Sequence, residues 1–271
     1  MIAKVEIFAK KLFKEPWQTD TIMPIDDDLE IRPYRLWHKL AAEFIGTCIF
    51  VFIGTMSMTN GGGSLVTIAM AHGFTIFILV ASLGHISGGH FNPAVSTGVA
   101  LAGKLPPVLL PLYAGTQLLG GIAGAAICRA CTTHKFYMSG IGGATLLNTD
   151  ITWGEGLVTE IMLTAILVHV VLNTAVDTAT NVLAPLAIGL TLSLDICGGG
   201  PITGASMNPA RSLGPNLMAW AFIDFDIHPE LGVTKHYLWN YHWVYYVGPL
   251  IGAALAAGLF RTFFSRRSRV I

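Results

Sequence analysis

The sequence predicts an all-α membrane protein with six transmembrane helices plus two re-entrant half-helices, arranged as an inverted repeat. Three observations predict this fold. Of the 271 residues, 53% are hydrophobic and 12% are charged, about half the charged fraction of a typical soluble domain. Several long apolar stretches have the length of a helix that crosses a bilayer. The triplet Asn-Pro-Ala also occurs twice, at 92–94 and 208–210, each time between two apolar segments.

Each Asn-Pro-Ala triplet predicts the start of a short helix. Proline suits the first turn of a helix because that position needs no backbone N–H, and the asparagine before it is a good N-cap. The segment that follows Pro93 is interrupted at 104–107 by Lys-Leu-Pro-Pro, before it could cross a bilayer. We therefore expect two half-helices that enter the membrane from opposite faces and meet near the midplane.

Six longer apolar segments supply the spans, which we expect at about 36–58, 65–84, 108–128, 153–172, 184–197 and 243–260. The stretch 132–152 is predicted to be a polar, glycine-rich loop, and the run Gly-Gly-Gly-Pro at 198–201 is expected to end the fifth span. Residues 85–92 and 200–208 should then line a wet pathway, because loop carbonyls inside hydrocarbon must be satisfied or face water.

The two halves of the chain repeat the same order of elements. Glu43 lies 49 residues before Asn92 (92 − 43 = 49), and Glu160 lies 48 residues before Asn208 (208 − 160 = 48). Each glutamate belongs to the first span of its half. Because each half has three spans, the second copy must enter the membrane upside down.

Glu43, Glu160 and Arg211 are charged residues inside the predicted spans and half-helices, and each needs a partner or a wet surface. Arg211, just after the second triplet, is predicted to be a hydrogen-bond donor at a constriction. Glu43 and Glu160 have two interpretations: a proton or ion relay, or buried anchors that accept hydrogen bonds from loop N–H groups. Their symmetric positions favour anchors.

The two triplets in an inverted repeat, the run His-Ile-Ser-Gly-Gly-His at 85–90 and Arg211 resemble the major intrinsic protein family, the aquaporins and aquaglyceroporins. The similarity covers about residues 36–263. It implies a homotetramer with one pore per subunit, which conducts water and small neutral solutes passively through the lipid bilayer. The domain prediction is a cytoplasmic N-terminal tail at 1–35, a channel domain at 36–263 with repeats at about 36–131 and 153–263, and a cytoplasmic C-terminal tail at 264–271.

The resemblance implies that both triplets lie in the pore, with the site residues Asn92, Pro93, Ala94, Asn208, Pro209 and Ala210. The half-helix N-termini present partial positive charge at the centre. The two asparagine amides would donate hydrogen bonds to a passing water, which then cannot relay a proton onward, and the positive helix ends repel cations.

Offsets from the family's motifs give the selectivity filter that the resemblance implies: His72 (92 − 20 = 72), Ile196 (208 − 12 = 196), Ala205 (208 − 3 = 205) and Arg211. A histidine on an apolar helix is, by itself, more often a satisfied core residue. The register of His72 relative to Asn92 favours the filter instead.

This filter is most similar to that of the aquaporin-8 group, which is permeable to water, ammonia and hydrogen peroxide, with plant vacuolar aquaporins as the other similar group. Ser212 stands where glycerol channels carry aspartate. Two further positions differ from the wider family: Asn216, where a small residue is usual, and Tyr246, where tryptophan is usual.

Three alternatives to this function remain. A glycerol-type facilitator shares the fold. A coupled secondary transporter also uses inverted repeats and would use Glu43 or Glu160 for coupling. A structural or adhesion membrane tetramer would have a nearly closed pore. An enzyme is disfavoured because the sequence has neither a serine nucleophile elbow nor histidines at metal-ligand spacing.

The formal net charge of zero gives no indication of a nucleic-acid partner. Cys128 and Cys131 end an apolar segment, so we expect no metal site there. No cofactor is expected either. Basic residues before the first span and after the last predict that both termini are cytoplasmic. The membrane is expected to be the plasma membrane, with an intracellular membrane as the alternative.

Overall fold

The computed structural model describes residues 33–59, 63–177, 181–226, 228 and 231–265. Its helices are, in chain order, α1 Leu36–Thr59, α2 Leu65–Ser87, α3 Pro93–Leu101, α4 Leu110–Cys131, α5 His134–Ser139, α6 Trp153–Val171, α7 Ala184–Thr203, α8 Pro209–Phe222, α9 Tyr237–Asn240 and α10 Val244–Leu259. Short 3₁₀ turns lie at Pro107–Leu109 and Ile141–Gly143, and π-helical turns at Leu172–Val176 and Phe260–Phe264. The N-terminal tail before residue 33 and the arginines after residue 265 lie outside the described residues.

The predicted pattern of six spans and two half-helices is confirmed. Six helical segments of the described chain are long and apolar enough to cross a membrane: Leu36–Thr59, Leu65–Ser87, Pro107–Cys131, Trp153–Val176, Ala184–Thr203 and Tyr237–Phe264. The helices α3 and α8 have 9 and 14 residues and are too short to do so. Each of them begins at a proline that directly follows an asparagine N-cap.

The two halves pack as a pseudo-symmetric pair. In the first half α1 packs against α4, and in the second half α6 packs against α10. The helices α2 and α7, which are equivalent in the two halves, pack against each other. Each half-helix packs against the last span of the other half, α8 against α4 and α3 against α10. An inverted repeat predicts this exchange, and it brings the two half-helices into one bundle.

Glycines make the contact between α2 and α7 close. A Cβ atom on Gly189 would lie 2.5 Å from the carbonyl oxygen of Gly73, and one on Gly73 would lie 2.4 Å from the carbonyl oxygen of Gly189. The Ser193 hydroxyl donates to the Ala69 carbonyl across the same crossing, at 3.0 Å. Between helices in lipid, such close backbone contact and interhelical hydrogen bonding drive association, because lipid tails are as apolar as the side chains.

The prediction that residues 198–201 end the fifth span is wrong, because α7 continues to Thr203. The glycines of this run allow close packing: a Cβ on Gly199 would lie 2.3 Å from the Leu163 side chain of α6, and one on Gly200 would lie 2.5 Å from Leu65 of α2. Tertiary packing here outweighs the weak helix propensity of glycine. The helix α2 likewise continues to Ser87, so the extended loops are shorter than predicted, 88–92 and 204–208.

The prediction of a polar loop at 132–152 is also incomplete. The stretch contains α5 and a 3₁₀ turn, and part of it is buried in a second apolar cluster. This small cluster consists of Tyr137, Met138, Ala144, Ala219, Ile223, Phe225 and Leu238. It joins the connection between the halves to the end of α8 and to the segment before α10, so these connections pack together on one face of the bundle.

The close contact of α2 and α7 generates a stability prediction. Gly189→Ala should destabilise the protein by about 1–3 kcal/mol, because the added methyl group overlaps the Gly73 carbonyl and the Phe77 side chain. Gly198→Ala, on the same helix, is the matched control, since no atom lies within 4 Å of its added Cβ. That change should leave stability equal or raise it by up to about 1 kcal/mol. Thermal unfolding in detergent measures both, and equal melting temperatures would contradict the packing argument.

Candidate functional site

The two loops that lead into the half-helices have the same backbone conformation. Each loop has three residues with positive φ at equivalent positions, which are Gly88, Gly89 and Phe91 in the first loop and Gly204, Ala205 and Met207 in the second. The φ angles of Phe91, Ala205 and Met207 are 48°, 46° and 54°. The left-handed conformation is unfavourable for residues with a Cβ atom and persists where the surroundings fix it.

Glu43 of α1 fixes the first loop. Its Oε1 accepts hydrogen bonds from the Ser87 hydroxyl at 2.6 Å and the His90 backbone N–H at 3.0 Å. Its Oε2 accepts from the Phe91 backbone N–H at 2.6 Å and from Nε2 of Gln117 at 2.8 Å. The glutamate is fully buried, and four donors satisfy its two oxygens.

Glu160 of α6 binds the second loop in the same way. Its Oε1 accepts from the Thr203 hydroxyl at 2.7 Å and the Ser206 N–H at 2.9 Å, and its Oε2 accepts from the Met207 N–H at 2.8 Å. This side chain is fully buried as well. Hydrogen bonds to a carboxylate are about twice as strong as those between neutral groups, so both loops are held tightly.

Tyrosines from the last spans bind the same two loops, and no sequence motif singles them out. The Tyr113 hydroxyl of α4 donates to the Ser87 carbonyl at 2.9 Å, and the Tyr245 hydroxyl of α10 donates to the Thr203 carbonyl at 2.7 Å. Ser87 and Thr203 can be found from the sequence. The second triplet follows the first by 116 residues (208 − 92 = 116), and the same offset pairs these two hydroxyl residues. Tyr113 and Tyr245 are not related by this offset, so it does not identify them.

The asparagines of the two triplets cap their own helices and bridge the two loops. Oδ1 of Asn92 accepts from the Ala94 N–H at 2.8 Å, while its Nδ2 donates to the Met207 carbonyl at 2.8 Å. In return, Nδ2 of Asn208 donates to the Phe91 carbonyl at 3.0 Å. The sequence predicted the caps but not this exchange. A carboxamide has two N–H donors, so one N–H of each asparagine remains for another acceptor.

A cavity of about 690 Å³ is lined in part by the two asparagines. Ser206, Lys39 and Lys104 are among its other lining residues. Its wall is mostly apolar and includes Ile76, Val95, Val99, Leu167, Ile188 and Leu192. A wide, mainly apolar space thus reaches the point where the half-helices meet.

The four predicted filter residues are all buried, between 1% and 4% exposed, and none of them lines this cavity. Nδ1 of His72 lies 2.8 Å from the Ile68 carbonyl oxygen. Because a carbonyl can only accept, Nδ1 carries the hydrogen, and the neutral ring keeps Nε2 as an acceptor. The ring packs edge-on against Phe50, with a centroid distance of 5.6 Å, and lies over Gly54.

Arg211 is held by a residue that belongs to no sequence motif. Its Nη1 donates to the hydroxyl of Thr145, which lies in the connection between the halves. Its Nη2 lies 3.4 Å from the sulfur of Met58, and its Nε has no hydrogen-bond partner in the described part of the chain. The Glu160 carboxylate, which holds the loop before α8, lies close enough to interact electrostatically with the guanidinium.

The contacts of Glu160 generate a prediction for the loop. Glu160→Gln replaces one acceptor oxygen by an NH₂ group that faces donors, so stability should fall by about 1–3 kcal/mol for each donor left without an acceptor. Glu155→Gln on the same helix is the control, because Glu155 is exposed and caps the helix start with Thr152. Thermal unfolding in detergent compares the two variants. An unchanged melting temperature for Glu160→Gln would contradict this account of the loop.

Comparisons with known proteins agree with this geometry. The sequence model of the major intrinsic protein family matches residues 30–260. The chain is 37% identical over 234 residues to aquaporin-8 of Rattus norvegicus, covering 84% of this chain and 82% of that protein. It is 40% identical over 230 residues to aquaporin TIP1-2 of Musa acuminata, covering 80% of this chain and 82% of that protein.

The X-ray structure of the aquaglyceroporin from Plasmodium falciparum has a similar fold, with a TM-score of 0.67, 22% identity, and coverage of 84% of this chain and 96% of that one. The chain therefore belongs to the major intrinsic protein family and is an aquaporin-type membrane channel for water and small solutes, not an enzyme.

Proposed function

We propose that this channel conducts water, ammonia and hydrogen peroxide passively and conducts glycerol poorly. The observation that carries this proposal is the chemistry of four buried residues, which we propose form one layer of the pore: the cation Arg211, the neutral acceptor His72 and the apolar residues Ile196 and Ala205. The similarity to aquaporin-8 of Rattus norvegicus supports it.

The cavity of about 690 Å³ serves as one vestibule of the pore. A molecule that leaves it meets Asn92 and Asn208, and it accepts a hydrogen bond from the free N–H of each amide. The positive ends of α3 and α8 face the same point. A water held as a double acceptor cannot pass a proton onward, and cations are repelled, so neutral molecules cross. Glu43 and Glu160 act as loop anchors rather than as relays, because their oxygens are already occupied by donors.

The filter layer distinguishes among neutral molecules. Ammonia and peroxide are similar to water in size, and each can accept from Arg211 and donate to Nε2 of His72. Ile196 and Ala205 make the remaining wall less polar and slightly wider than that of a strict water channel. Glycerol needs a longer apolar wall than this layer provides.

We further propose a homotetramer with a pore in each subunit, in the plasma membrane or an intracellular membrane. The tails at 1–35 and 264–271 face the cytoplasm, and 36–263 is the channel domain. Since Lys39 lies at the start of α1 and lines the vestibule, the vestibule then opens to the cytoplasm. Basic residues near both ends of the bundle support this orientation.

Stopped-flow measurements on purified protein in liposomes test the proposal with water, methylamine, hydrogen peroxide and glycerol. We expect water, methylamine and peroxide fluxes above those of empty liposomes and glycerol flux near them. Fast glycerol flux would indicate a glycerol facilitator. Flux that depends on a proton or sodium gradient would indicate a coupled transporter, and lipid-level permeability to all four would indicate a structural role.

Removing the charge of Arg211 tests the barrier to ions. Arg211→Val should leave water flux largely intact and raise the proton or small-cation leak at least tenfold, because repulsion in a poorly screened pore exceeds about 1.4 kcal/mol. Arg261→Ala is the control, since this exposed arginine binds the Leu101 carbonyl instead. A dye inside the liposomes reports the proton leak. Ionic conductance of Arg211→Val at the level of empty membranes would contradict the assignment.

Exchanging two filter residues tests the solute range. The double change His72→Phe with Ile196→His should rebuild a water-type filter and suppress ammonia flux more than water flux. The physical reason is that the polar acceptor moves to the other wall while a bulky ring narrows the opening. The ratio of methylamine flux to water flux, measured on the same liposomes, is the readout. An unchanged ratio would show that this layer does not select.

A further inference from the structure

Asn216 makes an unusual set of contacts on α8. It is fully buried, eight residues beyond Asn208 (216 − 208 = 8). Its Oδ1 accepts from the backbone N–H of Thr145 at 2.8 Å, and its Nδ2 donates to the backbone carbonyl of Thr145 at 3.2 Å. The same Nδ2 donates to the Leu238 carbonyl at 3.1 Å. One carboxamide thus binds both polar groups of the Thr145 backbone.

This double contact fixes the direction of the Thr145 side chain. The backbone of Thr145 is held on both its N–H and its C=O, and its β-branched side chain has few rotamers to choose from. The hydroxyl then accepts from Nη1 of Arg211 and from the Ser212 hydroxyl, the latter at 3.1 Å. A threonine that is 1% exposed and held in this way presents its oxygen at one place.

The guanidinium of Arg211 depends on that oxygen. Its other side-chain hydrogen bond among the described residues is to the Met58 sulfur at 3.4 Å, which is a weak acceptor. Nε has no partner there. A long side chain with one strong hydrogen bond changes position when that bond is lost, so the placement of Thr145 decides where the charge lies.

We propose that Asn216 is a positioning residue for Arg211. It acts through Thr145 to hold the guanidinium at the constriction, and it thereby sets how strongly the pore rejects protons and cations. This inference rests on the proposed function of Arg211 as the charge at the constriction. Through its hydrogen bond to the Leu238 carbonyl, Asn216 also connects the segment before α10 to the Thr145 backbone.

The test measures proton leak per unit of water permeability in liposomes, so that each value refers to folded, conducting channels. Asn216→Ala and Asn216→Leu remove the carboxamide, and the leucine keeps most of its volume. Thr145→Val removes the hydroxyl alone. We expect the leak ratio of all three to rise about fivefold, which corresponds to one net hydrogen bond, and to stay below that of Arg211→Val. Thr145→Ser restores a hydroxyl and should leak less than Thr145→Val.

Tyr237→Phe is the matched control for loosening of the connection. It removes the hydrogen bond of 3.0 Å from Tyr237 to the Leu147 carbonyl, two residues from Thr145, and leaves the Asn216 contacts in place. We expect no change in its leak ratio. Melting temperatures in detergent are recorded alongside, since a purely structural role of Asn216 would lower stability without moving the leak ratio.

The possible outcomes separate the two proposals. If Arg211→Val raises the proton leak and the Asn216 variants do not, the positioning role of Asn216 is overturned, while the assignment of Arg211 as the charge at the constriction is supported. If Arg211→Val does not raise the leak, both are overturned. Adding Asn216→Ala to Arg211→Val should increase the leak no further, and an additive increase would contradict action through Arg211. Should neither Asn216 variant fold, an unchanged leak in Thr145→Val overturns the inference.

Discussion

The structure depends on two buried carboxylates that accept hydrogen bonds from the loop N–H groups. Backbone polar groups inside hydrocarbon have no water to bind, and each unsatisfied group costs several kcal/mol. Glu43 and Glu160 each bind two consecutive backbone N–H groups of an extended loop. Because these donors are satisfied from the bundle side, the loops can remain extended at membrane depth and the half-helices can begin there.

The same hydrogen bonds offset two unfavourable features. An ionised carboxylate is costly to bury unless donors surround it, and Glu43 has four donors while Glu160 has three. The left-handed backbone of Phe91 and Met207 is unfavourable too, yet it aims their N–H groups at the carboxylates and their carbonyls at the asparagine of the other loop. Anchor, loop conformation and bridge therefore stabilise one another.

The sequence predicts the features that depend on local chemistry. Spans follow from apolar length, and the half-helix starts follow from Asn-Pro. Features that depend on distant packing were missed. The glycines at 198–200 predict a break by propensity, yet the segment is helical, and Gly199 and Gly200 pack closely against α6 and α2. The partner of Arg211 is Thr145, 66 residues away in sequence and in no motif, and it reaches the site because the connection between the halves folds into the small apolar cluster.

The repeat is symmetric in its anchors but asymmetric in the residue that follows each triplet. The position equivalent to Arg211 in the first half is Val95 (211 − 116 = 95), which lines the cavity of about 690 Å³. An apolar side chain there needs no hydrogen-bond acceptor, whereas Arg211 donates to the Thr145 hydroxyl.

The polar neighbours of the two half-helices differ in the same sense. In the first half Ser96 accepts from Nε2 of Gln117 at 2.8 Å, which closes that network inside the bundle. In the second half the equivalent Ser212 hydroxyl donates to the Thr145 hydroxyl, which also accepts a hydrogen bond from Nη1 of Arg211. The pseudo-symmetric bundle thus holds both loops by equivalent hydrogen bonds to Glu43 and Glu160. A few residue differences in the second half give a buried network that binds the charged side chain of Arg211.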